Sequence, residues 1–201
     1  MANVMIRNHT LFPTIVNEFE YVADEKLRSY IVKEEFKQMA KRHSCTSVNN
    51  ALHKKEEYKG IVNKILRTTK EVCDFYKFIY DEIEITNMWL NFSKAGDVHR
   101  THNHSNNIFS GVWYPFSNSQ TSIYFYDPRA VANFWLPNKK ENNIINSSGW
   151  SMPNKQNLGL IFPSWLYHSV PPADGERISL SWNIILRGEY GEPNTLQNAS
   201  I

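Results

Sequence analysis

The chain has 201 residues, with 41% hydrophobic and 21% charged side chains, which excludes intrinsic disorder and fibrous classes and leaves room for a packed core. Twenty-two Lys and Arg face 20 Asp and Glu, a net charge of +2 that gives no reason to expect nucleic acid or an anionic membrane as partner. No apolar run reaches the roughly 18 residues of a membrane span, Met1–Asn8 lacks the pattern of a signal peptide, and Cys45 and Cys73 make neither a disulfide framework nor a zinc knuckle, so the expected protein is soluble and cytoplasmic, with reduced thiols.

In chain order, Leu11-Phe12-Pro13-Thr14-Ile15-Val16 reads as a short extended segment whose proline places it at a sheet edge or strand start. Asp24 is a candidate cap for a helix running to about Lys41 and carrying Leu27, Tyr30, Ile31, Phe36 and Met39. A polar loop from His43 to about Leu52 follows. A second helix is predicted from about Glu56 to Tyr80, where Ile61, Ile65, Val72, Phe75 and Ile79 form a core-facing apolar stripe.

From Glu84 the pattern changes. Residues 1–88 hold 14 basic and 13 acidic residues and no tryptophan, whereas residues 89–201 hold all six tryptophans, as expected of helices in front and sheet behind. Strands are predicted at Ile85–Ser93, Ile108–Phe116, Ser122–Tyr126, Ala132–Leu136, Leu158–Phe162, Tyr167–Val170 and Ile178–Leu186, separated by turn residues such as Asp127-Pro128 and Asp174-Gly175. The predicted fold is mainly β with two supporting helices: 1–84 helical, 85–187 a jelly roll, and 188–201 a frayed polar tail, in one domain.

Three constellations carry chemistry. His99, His102 and His104 cluster ahead of the apolar strand 108–114; in an extended strand His102 and His104 share a face and can hold one metal, while His99 faces away or lies in the preceding loop. His168 is delivered near the start of a strand after Phe162-Pro163-Ser164-Trp165. In 177–184, Arg177, Ser179, Ser181 and Asn183 line one face and Ile178, Leu180, Trp182 and Ile184 the other. Apolar neighbours make this strand central, so its polar row needs a polar cavity, and an Arg enclosed there needs an anion such as a carboxylate.

The order of these motifs resembles the 2-oxoglutarate and Fe(II)-dependent oxygenases, whose fold is a double-stranded β-helix. His102-x-His104, Ser110-Gly111-Val112-Trp113-Tyr114, Asp127-Pro128-Arg129, Phe162-Pro163-Ser164-Trp165-Leu166-x-His168 and Arg177-Ile178-Ser179-Leu180-Ser181-x-Asn183 are similar to a branch of these enzymes in marine bacteria and their phages. The resemblance implies an Fe(II) ion on His102 and His168, with 2-oxoglutarate held at its far carboxylate by Arg177, Ser179 and Tyr114. Asn183 and Arg129 would line the cavity. It implies a hydroxylase of a peptide or small molecule that releases succinate and CO2.

Position 104 departs from the superfamily, which places a carboxylate there. Either His104 completes a three-histidine site, or it stands behind the ligands and water fills the place. Two rival readings remain open. One is a cupin-like three-histidine metalloenzyme, zinc included, that does not use 2-oxoglutarate. The other is a jelly-roll binding module with no catalysis.

Overall fold

A computed structural model describes residues 6–129, 137–192 and 194–201. The N-terminal part supplies β1 (Asn17–Glu20), α1 (Glu25–Ile31), β2 (Phe36–Gln38), β3 (Cys45–Ser47) and α2 (Lys59–Tyr76). The rest supplies β4 (Glu82–Ser93), β5 (His99–His102), β6 (Phe109–Ser117), β7 (Ile123–Tyr126), β8 (Gly149–Met152), β9 (Leu158–Pro163), β10 (His168–Val170), β11 (Arg177–Arg187), β12 (Glu189–Tyr190) and β13 (Ala199–Ser200). A seven-stranded sheet in the order β1-β9-β6-β11-β4-β3-β2 faces a four-stranded sheet in the order β5-β10-β7-β8. This is the predicted double-stranded β-helix.

Period-two alternation divides the apolar residues of the large sheet between two cores. Leu90, Trp113, Leu180, Trp182 and Ile184 point outward and pack with Leu27, Ile61, Ile65 and Val72 of the helices. Val112, Tyr114, Leu160 and Phe162 point inward and meet Ile123, Phe125 and Val170 of the small sheet. Gly111 permits close approach on the outer side, because a Cβ there would stand 2.2 Å from the Trp182 ring and 2.7 Å from the Leu160 carbonyl oxygen.

Several predicted elements are corrected. The extended segment at 11–16 forms no strand; the edge strand is β1, which begins one residue later and pairs Asn17 with Ile161. Asp24 does cap α1, its carboxylate accepting from the Leu27 N–H at 2.7 Å, but the helix ends at Ile31. Phe36 belongs instead to β2, where it meets Phe92 with ring centroids 6.0 Å apart, and Met39 is exposed. The supposed polar loop contains β3, which joins β2 to β4. α2 stops at Tyr76 because Lys77 turns left-handed at φ 59°, which leaves Phe75 and Ile79 exposed rather than in the core. The polar tail pairs as β12 and β13. β5 and β8 are additional strands, and the predicted strand Ala132–Leu136 lies outside the described residues. No helix among the described residues is long and apolar enough to cross a membrane.

Candidate active site

The small sheet brings two histidines from distant parts of the chain into register. β5 and β10 are antiparallel with His102 opposite His168, and the ring centroids lie 4.4 Å apart. β5 ends at His102, and His104 lies in the irregular segment between it and the turn at 105–106, fixed by its backbone N–H donating to the Ser164 carbonyl at 2.9 Å, where it projects to the same centre as His102. Its ring centroid is 5.1 Å from that of His102 and 5.3 Å from that of His168. The three residues offer nitrogen atoms that all lie within 4.8 Å of one another.

The backbone selects which nitrogens face the centre. Nδ1 of His102 lies 2.7 Å from the Arg100 carbonyl oxygen, and Nδ1 of His168 lies 2.9 Å from that of Leu166. A carbonyl only accepts, so each Nδ1 carries the proton and each Nε2 keeps its lone pair for a metal. Burial, with His102 adding to it, pushes the His168 pKa down to about 3 and that of His104 to about 4. Both rings are therefore neutral at physiological pH, as ligation requires. The Phe162 and Phe125 rings lie 4.9 and 5.8 Å from His168, and Trp89 lies 6.0 Å from His104, giving the cluster aromatic walls.

The polar row of β11 lies inside, with Arg177, Ser179 and Asn183 all buried. Arg177 is 3% exposed; its Nη1 donates to the Thr121 carbonyl at 3.2 Å, and its Nε, also buried, has no partner. Burial lowers its pKa, against smaller upward contributions from Tyr114 and Asp174. Tyr114 is buried nearby; burial pushes its phenol up to about 12 despite the opposing Arg177 charge, so it keeps its proton. An enclosed guanidinium with an idle donor, beside a neutral hydroxyl, fits a carboxylate.

The remaining predicted residues divide. Asn183 accepts from Ser110 Oγ at 2.7 Å and donates to Asn87 at 2.8 Å, while Ser110 Oγ also meets Ser164 Oγ at 2.8 Å. Since the Ser164 carbonyl holds His104, this buried network ties the polar row to the segment that carries the histidine. Arg129 is exposed and paired with Asp127 at 2.8 Å. It lines a surface cleft of about 440 Å³ with Lys139, Glu141 and Asn146, and none of the three clustered histidines borders that cleft.

His99 is not turned away. His168 and Val170 are two residues apart on β10, but their partners His102 and His99 are three apart on β5. The extra residue is a β-bulge, which resets the alternation and puts His99 and His102 on one face. His99 pairs with Val170, an inward residue, and is itself partly buried. Burial and then the Arg177 charge push its pKa down to about 3, with His102 and His43 adding to the effect. The spacing of the histidines gave no sign of the bulge. The row that carries the clustered histidines continues across the sheet, pairing His102 with His168, His168 with Phe125 and Phe125 with Trp150, which is 41% exposed at the far strand.

Residues 87–183 match the family model described as "Putative 2OG-Fe(II) oxygenase", a span containing the three histidines and Arg177. Among curated proteins, none matches this chain in sequence. In fold the chain is similar to a prolyl-4-hydroxylase of Pseudomonas putida, with 12% identity, 87% of this chain and 94% of that one covered, and a TM-score of 0.61. It is similar to the non-heme α-ketoglutarate-dependent epimerase SnoN from nogalamycin biosynthesis, with 10% identity, 91% and 83% covered and a TM-score of 0.62. HygX from Streptomyces hygroscopicus, in a structure with nickel, 2-oxoglutarate and hygromycin B bound, is similar at 9% identity, 86% and 83% covered and a TM-score of 0.57. At these identities the likeness is one of fold.

Proposed function

For a chain that belongs to the 2-oxoglutarate and Fe(II)-dependent oxygenases, an oxidoreductase whose cofactor is iron and whose cosubstrate is 2-oxoglutarate, we propose a hydroxylase of a small molecule or peptide with His102, His104 and His168 as iron ligands. The observation that carries the reading is the geometry of Arg177. Its guanidinium is buried, one donor is unpartnered, and its charge acts on the buried Tyr114 hydroxyl. A metalloenzyme without 2-oxoglutarate, or a binding module without metal, would leave that charge buried for no gain.

Each residue has a distinct task. The Nε2 atoms of His102 and His168 bind the metal, and the Arg100 and Leu166 carbonyls orient those rings. His104 is the third ligand, neutral where the superfamily has a carboxylate, so the metal keeps one more unit of positive charge toward an anionic cosubstrate. Arg177, Tyr114 and Ser179 bind and orient the far carboxylate of 2-oxoglutarate. Phe125, Phe162 and Trp89 exclude water around the ligands. When bound, iron and 2-oxoglutarate supply the oxidation: O2 is consumed, 2-oxoglutarate becomes succinate and CO2, and a C–H bond of the substrate is oxidised.

Substrate entry is proposed at the exposed end of the lateral row, where Trp150 stands three strands along from His102. Peptide and small-molecule substrates both have precedent in the fold: one similar structure is a prolyl hydroxylase from Trichoplax adhaerens in complex with a hypoxia-inducible-factor peptide fragment, and HygX holds hygromycin B. The free thiols of Cys45 and Cys73 fit a cytoplasmic setting. Anaerobic titration with Fe(II) and then 2-oxoglutarate tests the assignment. A visible charge-transfer band appearing only with both, followed by succinate release in air, is the expected result; metal binding with no response to 2-oxoglutarate would refute it.

A further inference from the structure

We infer that His99 is a further hydrogen-bond donor to the far carboxylate of 2-oxoglutarate, beside Arg177, Tyr114 and Ser179, and a positioning residue that sets the length of the 2-oxo diacid the cavity accepts. The inference rests on the assignment above of the clustered histidines and Arg177 to the two ends of that molecule.

Three observations place His99 along the cosubstrate. First, the bulge in β5 sets it on the inner face together with His102, and its partner Val170 lies on the same face as His168. Second, its ring is electrostatically close to both ends of the pocket. Arg177 and His102 act on it, and it acts in turn on His168. A side chain that shares the His102 face and feels the Arg177 charge is placed toward the interval that a dicarboxylate spanning the two must fill. Third, the carboxylate has acceptor capacity to spare. Two oxygens offer about four lone-pair sites, more than the Arg177 Nε and the Tyr114 and Ser179 hydroxyls occupy.

The chemistry of the ring suits this task. Beside the Arg177 cation the imidazole is neutral, so it adds no repulsion and keeps one N–H to donate. A lysine here would compete with Arg177 for the same charge, and an apolar side chain would leave carboxylate lone pairs facing a dry wall. A donor fixed on a strand also measures length. A diacid one carbon shorter or longer that chelates the metal would carry its far carboxylate away from the His99 N–H as well as from Arg177.

The test compares His99→Ala, His99→Gln and His99→Phe with the wild type. Bound Fe(II) is measured first. The affinities for 2-oxoglutarate, oxaloacetate and 2-oxoadipate are then measured anaerobically from the charge-transfer band and by calorimetry. His99→Ala should keep stoichiometric iron, weaken 2-oxoglutarate by roughly tenfold or more, and narrow the preference for 2-oxoglutarate over the other two diacids. His99→Gln, which retains a donor, should recover part of the affinity, and it serves the comparison if the alanine variant does not fold. His99→Phe, which fills the space without a donor, should resemble alanine. A phenylalanine variant with wild-type affinity would make His99 a packing residue and overturn the inference. So would an alanine variant with unchanged affinity, or one that loses iron, since that would make His99 a metal ligand. A wild-type protein that binds iron but never 2-oxoglutarate would instead refute the oxygenase assignment itself, and the two failures are distinguishable.

Discussion

Replacing Arg177 with methionine should lower affinity for 2-oxoglutarate sharply while leaving the unliganded protein as stable as before or more so. The guanidinium is 3% exposed, and its single hydrogen bond goes to a neutral carbonyl 3.2 Å away while Nε has none. In the empty pocket it is therefore a desolvated cation without a counterion, and its removal relieves an unsatisfied donor worth about 1–3 kcal/mol against the loss of one ordinary contact. In the occupied pocket it makes a charge-assisted contact worth about 1.5–3 kcal/mol, so its loss should weaken binding roughly 10- to 150-fold. Methionine fills the volume of the aliphatic stem, which keeps cavity formation out of the comparison. The assay is anaerobic titration of 2-oxoglutarate into the Fe(II)-loaded variant, with thermal unfolding of the metal-free protein beside it. Iron stoichiometry should be unchanged, because Arg177 offers no ligand atom. Wild-type affinity in the variant would refute the role of Arg177, and a large fall in melting temperature would show that it is structural.

His168→Ala should lose bound metal while keeping the far-ultraviolet circular dichroism of the wild type; stoichiometric iron in the variant would refute its role. His104→Asp should keep iron, since it restores a carboxylate at that position, whereas His104→Ala should weaken it; equal metal content in the wild type and the alanine variant would place His104 outside the coordination sphere. The metal-free protein should lose stability in acid, because His99, His104 and His168 titrate at about 3, 4 and 3 when folded but near 6.5 when unfolded. The unfolded chain takes up the protons first, so stability is complete above about pH 6.5 and falls by about 1.4 kcal/mol per pH unit for each ring as pH drops toward the folded values. Coincident urea midpoints at pH 7.5 and 5.5 in chelator would contradict this. Gly111→Ala should cost about 1–3 kcal/mol, because the new methyl group meets the Trp182 ring and an immovable Leu160 carbonyl; an unchanged urea midpoint would show that the Trp182 ring and the adjoining strand yield freely there.

The parts of the fold legible in the sequence are those where a local pattern and its long-range pairing agree. β11 is the clearest case, since the alternation from Arg177 to Asn183 already separated a polar face from an apolar one, and both faces are buried as a central strand requires. Residues 11–47 misled because short strands there draw their stability from partners far along the chain: β1 from β9, and β3 from β2 and β4. Phe36 and Met39 are three residues apart, a helical spacing, but the ladder pairing of Phe36 with Ser47 overrides that period. In the site, His102, His168 and Arg177 were legible from their order on strands. His104 was legible too, as a partner of His102 at one centre, although nothing local says that β5 stops at His102. His99 was misread because alternation counts residues, and one bulged residue reverses every inference drawn across it.

The large sheet explains how one fold carries so many groups that oppose folding. Its inner face bears Arg177, Ser179 and Asn183 on β11 and Asn91 and Ser93 on β4, all buried, and the small sheet with the segment after β5 adds three histidines whose burial disfavours their charged forms. Such groups subtract from stability unless they are paired. The same strands point Leu90, Leu180, Trp182 and Ile184 the other way, into the core closed by α2. Period-two geometry thus lets one strand serve both ends, with the outer face supplying apolar burial and the inner face holding polar groups in place for a ligand. The bulge opposite Thr86 in β4 preserves that division. Asn183 pairs with Asn87 inside while Ile184 pairs with Ile85, so the buried amide network and the buried apolar cluster meet without exchanging faces. Without the bulge, β4 would present its apolar residues to the polar cavity beyond that point, and the network that reaches the His104 segment through Ser110 and Ser164 would lose its anchor.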